Sequence, residues 1–182
     1  MTSPHRDGDR RLRLTRRDAV LALGAIGLGA YGVGQVLDRS DGPDPVATLL
    51  AVTDLVYPPG VAVDEAFLET YVVGRTRADS AYHEHLSESV SALDRQARQD
   101  FGTRFAGLRA PRRRRVLRRL GVARVQATPD GTLGQRIRYV VVNDLLYALY
   151  ATPVGGRLLG LENPPGHPGG REAYTRGPRE ER

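Results

Sequence analysis

The sequence predicts an all-α protein, a small bundle of about five helices with an extended C-terminal tail. Through residues 46–152, apolar side chains recur every three or four positions, which is the period of a helix that buries one face. Proline and glycine stand at the boundaries of these segments, where helices begin and end. Residues 153–182 are rich in both, which disfavours regular structure.

A basic leader, residues 1–37, opens the chain. Thr15, Arg16 and Arg17 follow four earlier arginines, and hydrophobic residues begin two positions after the arginine pair. This order is typical of the twin-arginine signals that send folded proteins across the cytoplasmic membrane. Five glycines interrupt the apolar run that follows, which makes it a weaker membrane span than a leucine-rich segment. We therefore predict export by the twin-arginine translocase.

The sequence is compatible with more than one role for the apolar part of the leader after export. The run from Ala19 to Val36 has roughly the length of a bilayer span, so a membrane anchor is one interpretation and a buried core helix is another. No clear cleavage site follows, because the sequence stays apolar up to Leu37. The expected location is the outer face of the cytoplasmic membrane, with the chain either anchored or released.

Composition excludes several classes of function. The chain has no cysteine, so disulfides, thiolate metal sites and a cysteine nucleophile are ruled out. Its net charge is +6, but residues 1–17 alone hold six arginines and two aspartates. All 27 basic residues are arginine. The charge therefore belongs largely to the leader, and no nucleic-acid partner is predicted.

After a linker, residues 38–45, the first helix of the body is expected to begin with Asp44 as its cap and to end at Pro58. A second helix is predicted over Asp64–Val73, closed by Gly74.

A longer helix follows, capped by Ser80 and ended by Gly102. Its predicted apolar stripe consists of Tyr82, Leu86, Val90, Leu93, Ala97 and Phe101.

Pro111 is expected to start the next helix and Gly121 to stop it. Leu133–Ala151 is the most apolar segment of the body and is predicted as the central helix. The valines within Tyr139–Val142 allow a strand, but the surrounding period favours a helix.

Residues for catalysis or metal binding are scarce. His83 and His85 are two positions apart, so on a helix they point to different faces and do not share a metal. His83 with Glu88, and Glu65 with Glu69, are better interpreted as solvated surface residues than as sites. We predict no catalytic residue, cofactor or metal in this chain.

Six arginines within Arg112–Arg119 form a basic cluster. The favoured interpretation is the solvated face of a helix that buries Val116, Leu117 and Leu120. Contact with anionic lipid headgroups is the alternative.

The tail keeps apolar residues among its turns, including Leu158, Leu159 and Leu161, which a solvated linker does not need. We predict that it wraps over a partner. The candidate interface residues are Pro153, Gly155, Gly156, Asn163, Pro164, Gly166, Pro168, Gly169, Gly170 and Tyr174.

The chain resembles the gluconate 2-dehydrogenase subunit 3 family. The resemblance is carried by the arginine-pair leader, the segment Leu55–Pro58, the helix Tyr139–Tyr150, the motif Thr152–Gly156 and the closing segment Asn163–Gly170. It implies a noncatalytic small subunit that carries the export signal for a large flavin-dependent dehydrogenase of the glucose-methanol-choline type. FAD is then expected in the partner, which oxidises a sugar, sugar acid or alcohol and passes electrons to a cytochrome or quinone. The alternative function is that of a solitary membrane-anchored helical envelope protein with a lipid- or protein-binding role.

Overall fold

The structure, a computed structural model, describes residues 12–28 and 42–160. Its elements in chain order are β1 (Leu12–Leu14), α1 (Arg16–Ala25), α2 (Pro45–Val56), β2 (Val61–Val63), α3 (Glu65–Ala78), α4 (Ser80–Phe101), a 3-10 turn (Phe105–Gly107), α5 (Ala110–Arg119), a second 3-10 turn (Val122–Arg124), α6 (Leu133–Ile137), a π-helix (Arg138–Asn143), α7 (Asp144–Tyr150) and α8 (Pro153–Leu158). Because the two strands within these ranges have only three residues each, the predicted all-α class is confirmed.

The start of the first helix of the body follows the prediction closely. Asp44 Oδ1 accepts hydrogen bonds from the backbone N–H groups of Val46 at 2.9 Å and Ala47 at 3.2 Å. Pro45 occupies the first turn of α2, where its missing N–H has no helical partner to lose. The helix ends at Val56, two residues before Pro58.

α3 is longer than predicted, because Gly74 does not end it. The helix continues to Ala78, and Gly74 lies buried in its middle. A Cβ atom at this position would lie 2.9 Å from Cδ2 of Leu23. The glycine therefore allows α1 to approach α3 closely, a role that helical spacing alone does not reveal.

α4 carries the predicted stripe, whose members from Tyr82 to Ala97 are buried. It ends at Gly102, which has a positive φ of 70°. The predicted cap at Ser80 is wrong. Asp79 has extended backbone angles and its Oδ1 accepts from the Tyr82 N–H at 3.0 Å, so Ser80 is the first helical residue.

The predicted central helix forms, but with a change of pitch. Between α6 and α7 the chain follows a π-helix, a rare form that is frequent at functional sites. Five apolar residues at helical spacing along this segment are buried: Ile137, Val140, Val141, Leu145 and Leu149. The strand considered for Tyr139–Val142 is absent from this described segment.

The beginning of the leader packs on the body. β1 pairs in parallel with β2, with Leu12 opposite Val61 and Leu14 opposite Val63. α1 then lies against α3 and α7. The sequence predicts that the leader, residues 1–37, is separate from the helical domain, residues 46–152. In the structure, the described part of the leader belongs to the hydrophobic core of that domain. The remaining apolar residues up to Val36 and the first half of the linker lie outside the described residues.

The tail does not begin as extended structure. Pro153–Leu158 forms α8, so the prediction for these six residues is wrong. Thr152 Oγ1 accepts from the Gly155 N–H at 3.3 Å, and Pro153 suits the first turn. The predicted interface residues from Asn163 onwards lie outside the described residues.

None of the helices in the described ranges combines the length and apolar character that a membrane crossing requires.

Candidate partner-binding site

A carboxylate at the start of α7 organises the main polar cluster of the structure. The Tyr71 hydroxyl, from α3, donates to Asp144 Oδ1 at 3.1 Å. The Tyr82 hydroxyl, from α4, donates to Asp144 Oδ2 at 2.8 Å. Arg75 Nε lies 3.5 Å from Oδ1, a distance that is long for a hydrogen bond but suits an ion pair. Three helices therefore converge on one acid.

Burial dominates the protonation behaviour of the cluster. It raises the pKa of Asp144, although the Arg75 charge and the two tyrosine hydroxyls oppose that effect. Burial, and then the Asp144 charge, raise the pKa of Tyr71 and of Tyr82. Burial lowers the pKa of Arg75, but Asp144, Tyr71, Tyr82 and Asp79 together outweigh this and the net shift is upward. The tyrosines therefore stay protonated as donors and the arginine stays charged.

The Arg75 guanidinium also contacts an aromatic ring. Its Cζ lies 4.6 Å from the centre of the Tyr82 ring, within the range of a cation–π interaction. Its Nε is buried and has no hydrogen-bond acceptor among the described residues. Arg75 also lines a surface pocket.

This pocket has a volume of about 230 Å³. Its walls are formed by Ile26, Tyr71, Arg75, Tyr82, Tyr139, Val140, Asn143, Asp144 and Tyr147. Small-molecule sites usually measure about 300–1,000 Å³. The pocket is therefore too small for a dinucleotide cofactor and suits one or two side chains of another protein.

Exposed tyrosines surround the opening. Tyr139 and Tyr147 line the pocket and are 41% and 45% exposed, and Tyr150, one helical turn further along α7, is 37% exposed. We call these three residues the tyrosine surface. Tyrosine is enriched at protein interfaces because it combines a large apolar ring with a polar end and few rotatable bonds. The surface and its pocket have the character of a binding site for a protein.

A further tyrosine, Tyr57, connects the end of α2 with α7. The Tyr57 hydroxyl donates to the backbone carbonyl oxygen of Leu145 at 2.7 Å. Burial, with a smaller contribution from the Asp144 charge, raises the pKa of Tyr57. The end of α2 is therefore tied to the helix that carries Asp144.

The structure places the predicted site residues elsewhere. Thr15 caps α1, and Arg16 and Arg17 are exposed at its first turn. Gly155 and Gly156 are buried within α8, and a Cβ at Gly155 would clash with the Leu149 carbonyl oxygen. None of these residues lines the pocket.

The basic cluster is partly tied to the body. Arg113 Nη1 donates to Asp54 Oδ2 at 2.8 Å, and Arg119 Nη1 donates to Asp100 Oδ1 at 2.7 Å. The Arg112 guanidinium lies 5.2 Å from the centre of the Phe101 ring. Val116 is buried beneath the cluster. The described part of the chain also contains no group of three or more histidines and acids placed to hold a metal ion.

The fold and the site define a small helical protein with a surface pocket that suits a protein partner. The family model for gluconate 2-dehydrogenase subunit 3 matches residues 43–169. The chain therefore belongs to the gluconate 2-dehydrogenase subunit 3 family, a family of oxidoreductase subunits. The match includes the Tyr71, Arg75, Tyr82 and Asp144 cluster. Comparison with curated proteins and with solved structures gives no match.

Proposed function

We propose that this chain is the noncatalytic accessory subunit of a membrane-associated, flavin-dependent dehydrogenase of sugars, sugar acids or alcohols. FAD and the catalytic residues then belong to the large subunit, and a cytochrome subunit is a further expected partner. The accessory chain supplies the twin-arginine signal and carries the folded large subunit through the translocase. The complex then acts at the outer face of the cytoplasmic membrane, with the leader retained as an anchor or released.

The tyrosine surface is the observation that carries this proposal. Arginine and exposed tyrosines, which line this one small pocket, are residue types that dominate binding energy in protein interfaces. Membership of a family of dehydrogenase subunits supports the large flavoprotein as the partner. The candidate tail residues Pro153 and Asn163 to Tyr174 extend the proposed interface beyond the pocket.

The exposed arginine pair supports the export part of the proposal. Arg16 and Arg17 stand at the first turn of α1 with their side chains toward solvent. A receptor-read signal requires accessible guanidinium groups. The remaining exposed arginines of α5 are then available to anionic lipid headgroups at the membrane surface.

Co-purification tests the partner proposal. The tagged chain is expressed with the flavoprotein of the same organism, and bound flavin is measured by its absorbance. Changing both Tyr139 and Tyr147 to serine should reduce the captured flavin at least about tenfold, since losing two hot-spot residues costs more than about 1.4 kcal/mol. Gln99→Ser is the matched control, because Gln99 is exposed on α4 and lies neither in the pocket nor in the tail. Equal capture by both variants contradicts the proposed interface.

A further inference from the structure

We propose that the folded chain masks its own export signal. In this inference, α1 is docked on the body of the protein and must leave it before a membrane receptor binds the arginine pair together with the apolar residues that follow. The inference rests on the proposed export function.

Residues before the arginine pair are fixed to the body. Leu14 is fully buried, and its carbonyl oxygen accepts from the Asp64 N–H at 3.0 Å. The Arg13 guanidinium donates to Asp64 Oδ2, also at 3.0 Å. Together with the parallel pairing of β1 with Val61–Val63, these contacts hold the chain immediately upstream of the signal.

Residues after the pair are fixed as well. Ala19 and Ala22 are fully buried and Leu23 is 4% exposed. Leu23 lies over Gly74 of α3, where there is no side chain to keep the two helices apart. One apolar side of α1 therefore faces the protein core, while Val20 is 38% exposed.

The helix begins at the pair itself. The Thr15 N–H and hydroxyl both donate to Asp18 Oδ2, at 2.8 Å and 2.7 Å, and the Thr15 side chain faces the Asp18 backbone N–H in a capping box. Arg16 and Arg17 are left exposed. A receptor thus has access to the guanidinium groups, while the neighbouring apolar side chains are occupied by α3.

A receptor that binds both features has to compete with α3. Only molecules in which α1 is released bind the receptor. The apparent affinity is therefore the intrinsic affinity multiplied by the fraction of such molecules. Docking of α1 therefore sets the rate of export, and fixing or loosening it should change that rate in opposite directions.

A disulfide between α1 and α3 tests the masking directly. The natural chain has no cysteine, so the double variant Leu23→Cys with Gly74→Cys contains only the intended pair. A Cβ at Gly74 lies 3.2 Å from Leu23 Cγ, which places the two side chains next to each other. The oxidised and reduced forms of this one protein are compared for transport into inverted membrane vesicles that contain the twin-arginine translocase. The oxidised form should be transported at least about tenfold more slowly.

A second variant loosens the contact without a covalent bond. Gly74→Leu places a large side chain under Leu23, so hydrogen exchange of the Arg16–Ala25 amides should accelerate and transport should increase. Ala81→Leu, at an exposed position of α4, is the matched control and should change neither quantity.

The outcomes separate the masking from the export proposal. Equal transport of the oxidised and reduced forms, or failure of the two thiols to pair, overturns the masking alone. If neither the unmodified protein nor Gly74→Leu is transported, or if transport survives Arg16→Lys with Arg17→Lys, the export proposal itself is overturned, and the masking with it. Slow transport of the oxidised form with recovery on reduction supports both.

Discussion

Replacing Tyr82 with phenylalanine should destabilise the protein although the ring is kept. The lost hydroxyl is buried and donates to Asp144 Oδ2 at 2.8 Å. A hydrogen bond to a charged group contributes about 1.5–3 kcal/mol, and an oxygen left without its donor in a buried site adds a desolvation cost. We expect the free energy of unfolding to fall by about 2 kcal/mol.

Three further Tyr→Phe substitutions provide an internal scale. Tyr71 donates to the same carboxylate over a longer distance, 3.1 Å, so its removal should cost about 1.5 kcal/mol. Tyr57 donates to a neutral carbonyl oxygen, for which about 1 kcal/mol is expected. Tyr139 is exposed, so Tyr139→Phe should lower the free energy of unfolding by less than about 0.5 kcal/mol.

Urea denaturation followed by circular dichroism measures these differences. For a protein of this size a loss of 2 kcal/mol lowers the urea midpoint by about 1 M, because the dependence on denaturant is about 1–3 kcal/mol per M. If the midpoint of Tyr82→Phe moves no further than that of Tyr139→Phe, the Asp144 cluster does not stabilise the fold as described.

Three other predictions concern protonation, packing and capping. Burial raises the folded-state pKa of Asp144 above its ordinary value of 3.8. The stability that Asp144 contributes is therefore complete below pH 3.8 and is lost as the pH rises through the raised pKa. The difference in unfolding free energy between the wild type and Asp144→Asn, measured by urea denaturation, should shrink with rising pH, and a constant difference contradicts the raised pKa. Gly155→Ala should lower the thermal midpoint, at a cost of about 1–3 kcal/mol, because its Cβ would meet the backbone of Leu149, whereas Gly24→Ala, with nothing within 4 Å, should not lower it. Asp44→Ala removes the cap of α2 and should cost about 1 kcal/mol in urea denaturation; an unchanged midpoint would show that the cap is dispensable.

The helices of the body were predictable because each has a local signal. Asp44 and Pro45 mark the start of α2, and Gly102 and Gly121 mark helix ends through their positive φ values of 70° and 75°. The Tyr82 to Ala97 stripe identifies the buried face of α4. In each case neighbouring residues contain the information, since caps and helical periods extend over only a few positions.

The features that sequence reasoning missed depend on contacts between distant residues. Gly74 has the pattern of a helix stop, but Leu23, far away in the chain, requires a glycine within the helix. β1 has only three residues and forms through its pairing with Val61–Val63. Gly155 has the pattern of a loop, but it allows α8 to pack on the end of α7.

The candidate site was missed for the same reason. Asp144 is a single acid within the most apolar segment of the body, and a lone polar residue in such a position is a signal for a buried polar cluster. Its partners Tyr71, Arg75 and Tyr82 come from two other helices, and no motif or spacing joins them to it. The segment Tyr139–Tyr150 carries part of the family resemblance, but that resemblance does not indicate which residues its side chains contact.

Site-specific crosslinking tests the central claim, that the tyrosine surface binds the large flavoprotein subunit, most directly. A photoreactive amino acid is placed at position 147, or at position 99 on the exposed side of α4 as the control, and the chain is expressed with the flavoprotein. Irradiation followed by mass spectrometry should give a covalent adduct with the flavoprotein from position 147 and little or none from position 99. An adduct from position 99 without one from position 147, or no adduct from either position in an isolated complex, would contradict the account.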